Sequence, residues 1–293
     1  MLLAYNTNGL AHHDLLDAIA LLAEIGYRGI SITLDHGALN PFDARTSEQL
    51  PQVAAALQKH SLRCVIETGA RFLLDPHTKH EPTLVTADPA GRARRVDFLR
   101  RAIDIAAELN ADCVSVWSGI LRDGAGQTEA YSRLTVGLAA VLTHADEKGV
   151  NLAFEPEPGM FIDTLAAYDR LLAELASRGV DASHLRLTID IGHLHCLGEL
   201  PIPAKIREYA GQLANVHIED MRPGVHEHLM FGDGDIDFPP VIAALNEIRY
   251  DGLLSVELSR HSHEGPAAAQ RAYDFLQPLL AAGKSHSDKR GKQ

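Results

Sequence analysis

The segment Leu2-Leu-Ala-Tyr-Asn-Thr-Asn-Gly-Leu-Ala-His-His-Asp-Leu-Leu-Asp-Ala-Ile-Ala-Leu-Leu-Ala-Glu-Ile-Gly26 contains one strand and one helix, and the turn between them decides the fold. Leu2–Thr7 is a short apolar run of strand length. From Asp14 onward the apolar residues Leu15, Ala18, Ile19, Leu22 and Ile25 return at helical spacing, and Gly26 is placed as a C-cap. A parallel αβ repeat folds either as an open doubly wound sheet or as a closed barrel. The first turn, Thr7-Asn8-Gly9-Leu10-Ala11, has no GxGxxG phosphate loop, and no GxxxxGK[ST] occurs anywhere in the chain. That removes the nucleotide-binding open sheet and leaves the barrel.

The same unit recurs outward from this segment. Predicted strands lie at Leu2–Thr7, Gly29–Leu34, Leu62–Thr68, Asp112–Trp117, Asn151–Pro156, Leu185–Ile191, Ala214–Glu219 and Leu253–Leu258, with starts 27 to 50 residues apart. Each interval holds one helix and two loops. Asp88-Pro89 opens the third helix with a capping carboxylate and a first-turn proline, and Asp163-Thr164 opens the fifth. The expected fold is α/β, a single (β/α)8 TIM barrel over residues 1–283, followed by a polar, disordered tail at 284–293. The long stretch Gly69–Ala87 after the third strand is read as a lid over the catalytic face.

Composition narrows the function. With 27 Lys+Arg against 39 Asp+Glu the formal charge is −12, the wrong sign for a nucleic-acid partner. No run approaches the roughly 18 apolar residues of a membrane span. The N-terminus has neither the basic nor the long apolar region of a signal peptide. Cys64, Cys113 and Cys196 are odd in number and far apart, as in a reduced compartment, so a cytoplasmic location is expected. A homo-oligomer is compatible with all of this. Of 16 histidines, six (His184, His193, His195, His217, His226, His228) fall within 45 residues, a density that metal or proton chemistry would use.

Barrel active sites lie at the C-terminal ends of the strands. The fifth strand ends Phe154-Glu155-Pro156, the sixth Asp190-Ile191-Gly192-His193, the seventh Val216-His217-Ile218-Glu219-Asp220, and the eighth Val256-Glu257. Period-2 alternation turns Glu155, Asp190, His217 and Glu257 toward the axis together. Three carboxylates cannot stay ionised side by side without a counter-charge, so one divalent metal ion is expected among them. Three oxygens and one imidazole suit Mn2+ or Mg2+, with Co2+, Fe2+ and Zn2+ as further candidates. His193 stands just past a strand tip, where it reaches a substrate hydroxyl. Arg222 either holds an anionic or carbonyl group or pairs at the surface. His226 and His228 either extend the site or leave His228 to lock the Gly232-Asp233-Gly234 turn. Trp117 is either core or an apolar wall for a sugar ring.

At these residues, and at Phe231-Gly-Asp-Gly-Asp-Ile-Asp237, the chain resembles the sugar phosphate isomerase/epimerase family of the xylose isomerase-like TIM barrels over about residues 1–280. The resemblance implies an enzyme of carbohydrate metabolism, an epimerase or isomerase of a small sugar, ketose or polyol-derived hydroxy-carbonyl compound. It also implies one divalent ion, Mn2+ first, held by Glu155, Asp190, His217 and Glu257. Glu155 and Glu257 would double as acid and base through a cis-enediolate, and His193, Arg222, His228 and Trp117 would contact the substrate. His217 to Arg222 is one residue shorter than the usual epimerase spacing. A dehydratase of inosose or 3-dehydroshikimate type on the same scaffold is the alternative enzyme, and a sugar-binding barrel without catalysis the alternative class. The apurinic endonucleases of the superfamily carry histidines on the third and fourth strands. Here those strands end Glu67-Thr68-Gly69 and Trp117-Ser118-Gly119, without them.

Overall fold

A computed structural model describes residues 1–290, with side chains as far as Ala282. The polar tail expected at 284–293 lies outside the described side chains. In chain order the elements are β1 (Leu2–Asn6), α1 (Leu15–Ile25), β2 (Gly29–Thr33), α2 (Thr46–His60), β3 (Arg63–Glu67), α3 (Pro89–Leu109), β4 (Val114–Val116), α4 (Gln127–Lys148), β5 (Leu152–Phe154), α5 (Leu165–Ser177), β6 (Leu185–Asp190), α6 (Ile191–Leu197), α7 (Ile202–Glu208), β7 (Leu213–Ile218), β8 (Asp220–Arg222), β9 (Val225–Leu229), α8 (Phe238–Glu247), β10 (Leu253–Val256) and α9 (Gly265–Arg290). Eight parallel strands close into a barrel in the order β1-β10-β7-β6-β5-β4-β3-β2, with helices between them, so the fold is the (β/α)8 TIM barrel. All eight expected strands are present within two residues of their expected bounds. The β8–β9 hairpin is an addition that the alternation did not foretell. Among the described residues no helix is long and apolar enough to cross a membrane.

Two compact units are distinguishable in the chain. The first comprises Met1–Ser31, Ala56–Arg63 and Ile189–Gln293. Within it β1 pairs β10 with Tyr5 opposite Val256, and β10 pairs β7 with Ser255 opposite His217. Tyr5 and Tyr27 are fully buried edge to face at 5.7 Å, and the Tyr27 hydroxyl donates to Ala269 O at 2.8 Å, tying α9 to this core. Side chains pointing inward below the strand ends are small and polar: Ser31 Oγ and Ser255 Oγ are 2.7 Å apart. This layer leaves the volume above it to the longer groups.

The second unit comprises Ile32–Ala55 and Cys64–Thr188. Its strands β3 to β6 pair in sequence, with Phe154 of β5 opposite Leu187 of β6. Phe154 of β5, Tyr168 of α5, and Phe98 and Ile103 of α3 are fully buried. Helix α3 starts where the sequence placed it: the Asp88 carboxylate accepts from Ala90 N at 3.2 Å and Gly91 N at 3.0 Å, with Pro89 in the first turn. Asp88→Ala is therefore expected to cost about 1 kcal/mol, seen as a lowered urea midpoint at unchanged slope. The Gly69–Ala87 segment is pinned by buried Arg95, whose guanidinium donates to Thr68 O and His80 O, both at 3.1 Å, and by Arg122 donating to Glu81 at 2.9 Å.

Candidate active site

In the first unit the ends of β6, β7 and β10 bring three of the expected ligands together. Asp190 closes β6 and caps α6, its Oδ1 accepting the His193 N–H at 2.8 Å, and its Oδ2 is buried. His217 Nδ1 stands 3.0 Å from Glu257 Oε2 and 3.9 Å from Asp190 Oδ2. The other ring nitrogen, Nε2, lies 3.0 Å from the Asn215 amide nitrogen, which fixes the ring plane. Glu257 follows β10, and the Asn8 amide donates to its Oε1 at 2.8 Å. One ligand atom each from Asp190, His217 and Glu257 lies within 4.8 Å of the others. This donor set fits a divalent ion.

The electrostatics agree with that assignment. Burial would raise the Glu257 carboxyl, but the charge and hydrogen bond of His217, with His228 beyond, hold it well below the usual carboxylate range. Burial opposes ionisation of Asp190 as well, and His193, His228 and His217 outweigh it. Both groups are therefore carboxylates at neutral pH. Burial pushes the His193 imidazole down to about 4 despite Asp190, so it is a neutral hydrogen-bonding group there.

The β8–β9 hairpin turns at Pro223-Gly224, where Gly224 adopts φ +72°, and lays its histidines over α6. His226 Nε2 is 3.0 Å from His193 Nε2. His228 turns Nδ1 toward Glu219 at 3.8 Å. The turn at Gly232 is locked by a different residue: Asp220 accepts from Gly232 N, Met221 N and Ile236 N at 2.8, 2.9 and 3.1 Å. Arg222 is exposed and donates to Asp233 O at 2.8 Å, so one arm of its guanidinium is already committed to the loop. Two groups were missed in the sequence. Asn8 grips Glu257, and Glu219 is fully buried behind Asp190. Both signals were available, since Asn8 follows the first strand and Glu219 shares the inward alternation of His217.

In the second unit Glu155 directly follows β5, buried, its N–H donating to Val116 O at 2.8 Å. Trp117 follows β4. The Arg95 guanidinium lies 4.5 Å over its ring, and His80 meets it edge-on at 5.5 Å. Burial drives the His80 imidazole down to about 4 and the Arg95 guanidinium down to about 9. Trp117 is thus a buried residue braced by Arg95 and His80.

A closed parallel barrel whose ionisable groups collect at the strand ends defines a class of barrel enzymes. The sequence profile of the xylose isomerase-like TIM barrel matches residues 19–279, and the chain belongs to that family. It is 24% identical over 278 residues to L-ribulose-5-phosphate 3-epimerase UlaE of Shigella flexneri serotype 5b (strain 8401), covering 91% of this chain and 90% of the relative. Among solved structures it is similar to an L-ribulose 3-epimerase, with TM-score 0.76, 21% identity and 100% and 98% of the two chains covered. A D-allulose 3-epimerase from Methylomonas sp. in complex with D-allulose gives TM-score 0.73 at 20% identity, covering 95% and 97%. At these identities the structural likeness establishes the fold.

Proposed function

We propose that the chain is a divalent-metal-dependent epimerase of a small ketose, exchanging the hydrogen on the carbon beside the carbonyl through a cis-enediolate. The observation that carries the reading is the meeting of Asp190, His217 and Glu257 at the ends of three strands, each offering a ligand atom within 4.8 Å of the others. Glu155 is assigned as the fourth ligand on register. β5 pairs β6 with Phe154 opposite Leu187; Glu155 follows the end of β5, and Asp190 is the last residue of β6. The relatives named as ribulose and allulose 3-epimerases support a sugar isomerase.

When bound, the ion supplies Lewis acidity toward the substrate carbonyl and its neighbouring hydroxyl. Glu257, ionised and held by Asn8, takes the proton from one face, and Glu155 delivers one to the other face. Neutral His193 exchanges a hydrogen bond with a substrate hydroxyl, and His228 is assigned a second polar contact to the substrate. Arg222 directs its uncommitted N–H groups at a carbonyl or phosphate, and Trp117 forms the apolar wall. Mn2+ is the assigned ion.

The test is incubation of the full chain with Mn2+ and L-ribulose, L-ribulose 5-phosphate or D-allulose in D2O. Deuterium at C3 in both epimers is the expected result. Loss of water with a new ultraviolet band would make the chain a dehydratase. Binding without exchange, for every ketose tried, would make it a sugar-binding barrel.

A further inference from the structure

Helix α3 directs one charged side chain at the loop that follows β3, and everything it touches belongs to the second unit. Arg95 is only 2% exposed, yet no carboxylate among the described residues pairs with it. Glu81 is engaged elsewhere, accepting from Arg122 Nε at 2.9 Å and from Thr86 Oγ1 at 2.7 Å. The Arg95 guanidinium is instead divided between two carbonyl oxygens and two aromatic rings. Nη1 donates to Thr68 O, just past β3, and Nη2 donates to His80 O, both at 3.1 Å. The central carbon lies 4.5 Å from the ring centroid of Trp117 and 5.4 Å from that of Phe98. Thr68 is itself fixed to β4, its hydroxyl donating to Ser115 O at 2.6 Å. His80 completes the closure: its Nδ1 donates to Gly69 O and its backbone N–H to Arg71 O, both at 2.6 Å. Gly69–His80 is thus an Ω-loop with its ends tied together, and Leu73 and Leu74 are buried within it. At those ends Ala70 and His80 hold φ +48° and +70°, a left-handed backbone that residues other than glycine rarely take. Such strain persists only where the surroundings over-determine it, and a charge buried without a counter-ion is costly as well. Both costs are spent around one indole ring.

We propose that Arg95, with His80, is a positioning residue for sugar binding: it grips both ends of the Gly69–His80 loop and the ring of Trp117, and so holds the indole for the sugar without touching the sugar itself. The inference rests on the epimerase reading, in which Trp117 is the apolar wall. A ring already fixed loses little freedom when a sugar packs on it, whereas a loose ring must be ordered at each binding event. Loosening the brace therefore weakens affinity and leaves the acid and the base as they were. Lysine is no substitute for Arg95, because a compact ammonium cannot bridge Thr68 O and His80 O while stacking on the indole.

Arg95→Lys, Arg95→Met and His80→Asn, each made in the full chain and supplied with Mn2+, test this. Trp117 is the single tryptophan of the chain, so its fluorescence reports on the braced ring directly. Each variant is expected to show stronger acrylamide quenching of that emission and faster trypsin cleavage after exposed Lys79. For whichever of L-ribulose, L-ribulose 5-phosphate and D-allulose the parent epimerises, KM should rise about 10-fold with kcat within about 3-fold, the signature of lost uniform binding. If quenching and cleavage rise while KM stays at the parental value, or if kcat falls instead, the brace is structural only and the inference is wrong, while the epimerase reading stands. Parental quenching and cleavage in every variant would mean that there is no brace. A parent chain that epimerises none of the three ketoses overturns the epimerase reading and the inference with it; that failure shows in the parent, the others only in the variants. Should the Arg95 variants not fold, His80→Asn decides, because asparagine tolerates the left-handed backbone and the position is half-buried.

Discussion

Glu257→Gln is expected to lower kcat by about 1,000-fold with the fold intact, the loss that removal of a positioned general base produces. The substitution is nearly isosteric, and the glutamine oxygen can still accept from Asn8 Nδ2, now 2.8 Å from Oε1. What disappears is the negative charge facing His217 Nδ1 at 3.0 Å, and with it the capacity to accept a proton. The variant also separates a two-base mechanism from a one-base mechanism. With excess Mn2+ present to compensate for the weakened ligand, net epimerisation should stop in both directions. The epimer whose proton faces Glu155 should still exchange it with D2O, while the other epimer should not. Glu155→Gln should show the mirror-image pattern. If Glu257→Gln turns over at the parental rate, or if both epimers continue to exchange, the acid/base assignment is wrong.

The parts of this molecule that were legible in the sequence are those governed by local periodicity. A strand that ends in a polar residue and is followed by a capped helix is a short-range statement. Asp88-Pro89 and Thr164 therefore mark helix starts as surely in the chain as in the fold, and Asp190 and His217 occupy the strand ends assigned to them. The residues missed depend on longer connections. Glu219 alternates with His217, but its environment comes from Gly192 of α6 and His228 of β9, elements 27 and 9 residues away in the chain. Asn8 becomes relevant only when the first and last strands pair, 249 residues apart. The hairpin was hidden for a different reason. β8 and β9 are 3 and 5 residues long and partly polar, and the Pro223-Gly224 dipeptide that turns them was the sole local mark. Arg222 shows the limit of residue-type reasoning. A guanidinium in the right loop suits a substrate, but its donation to Asp233 O depends on how that loop is held, and the holder is Asp220.

Stripping the metal is expected to abolish turnover and to lower the melting temperature by about 5 °C or more, both restored by Mn2+. The stability change follows from mass action, because an ion held at about 100 times its Kd stabilises the folded state by about 2.7 kcal/mol, which corresponds to several degrees in a domain of this size. It also has a definite pH dependence. The ion competes with protons for Asp190 and Glu257, both held below the ordinary carboxylate range by the surrounding imidazoles. They remain ionised through neutral pH, so the difference in melting temperature between loaded and stripped protein should be full there. As pH falls through the depressed values of these two groups, protons replace the ion and the difference should narrow. Scanning calorimetry from neutral pH down past the ordinary carboxylate range, on loaded and stripped protein, tests the scheme: equal melting temperatures at neutral pH, or full turnover in the presence of chelator, would remove the ion from both structure and mechanism.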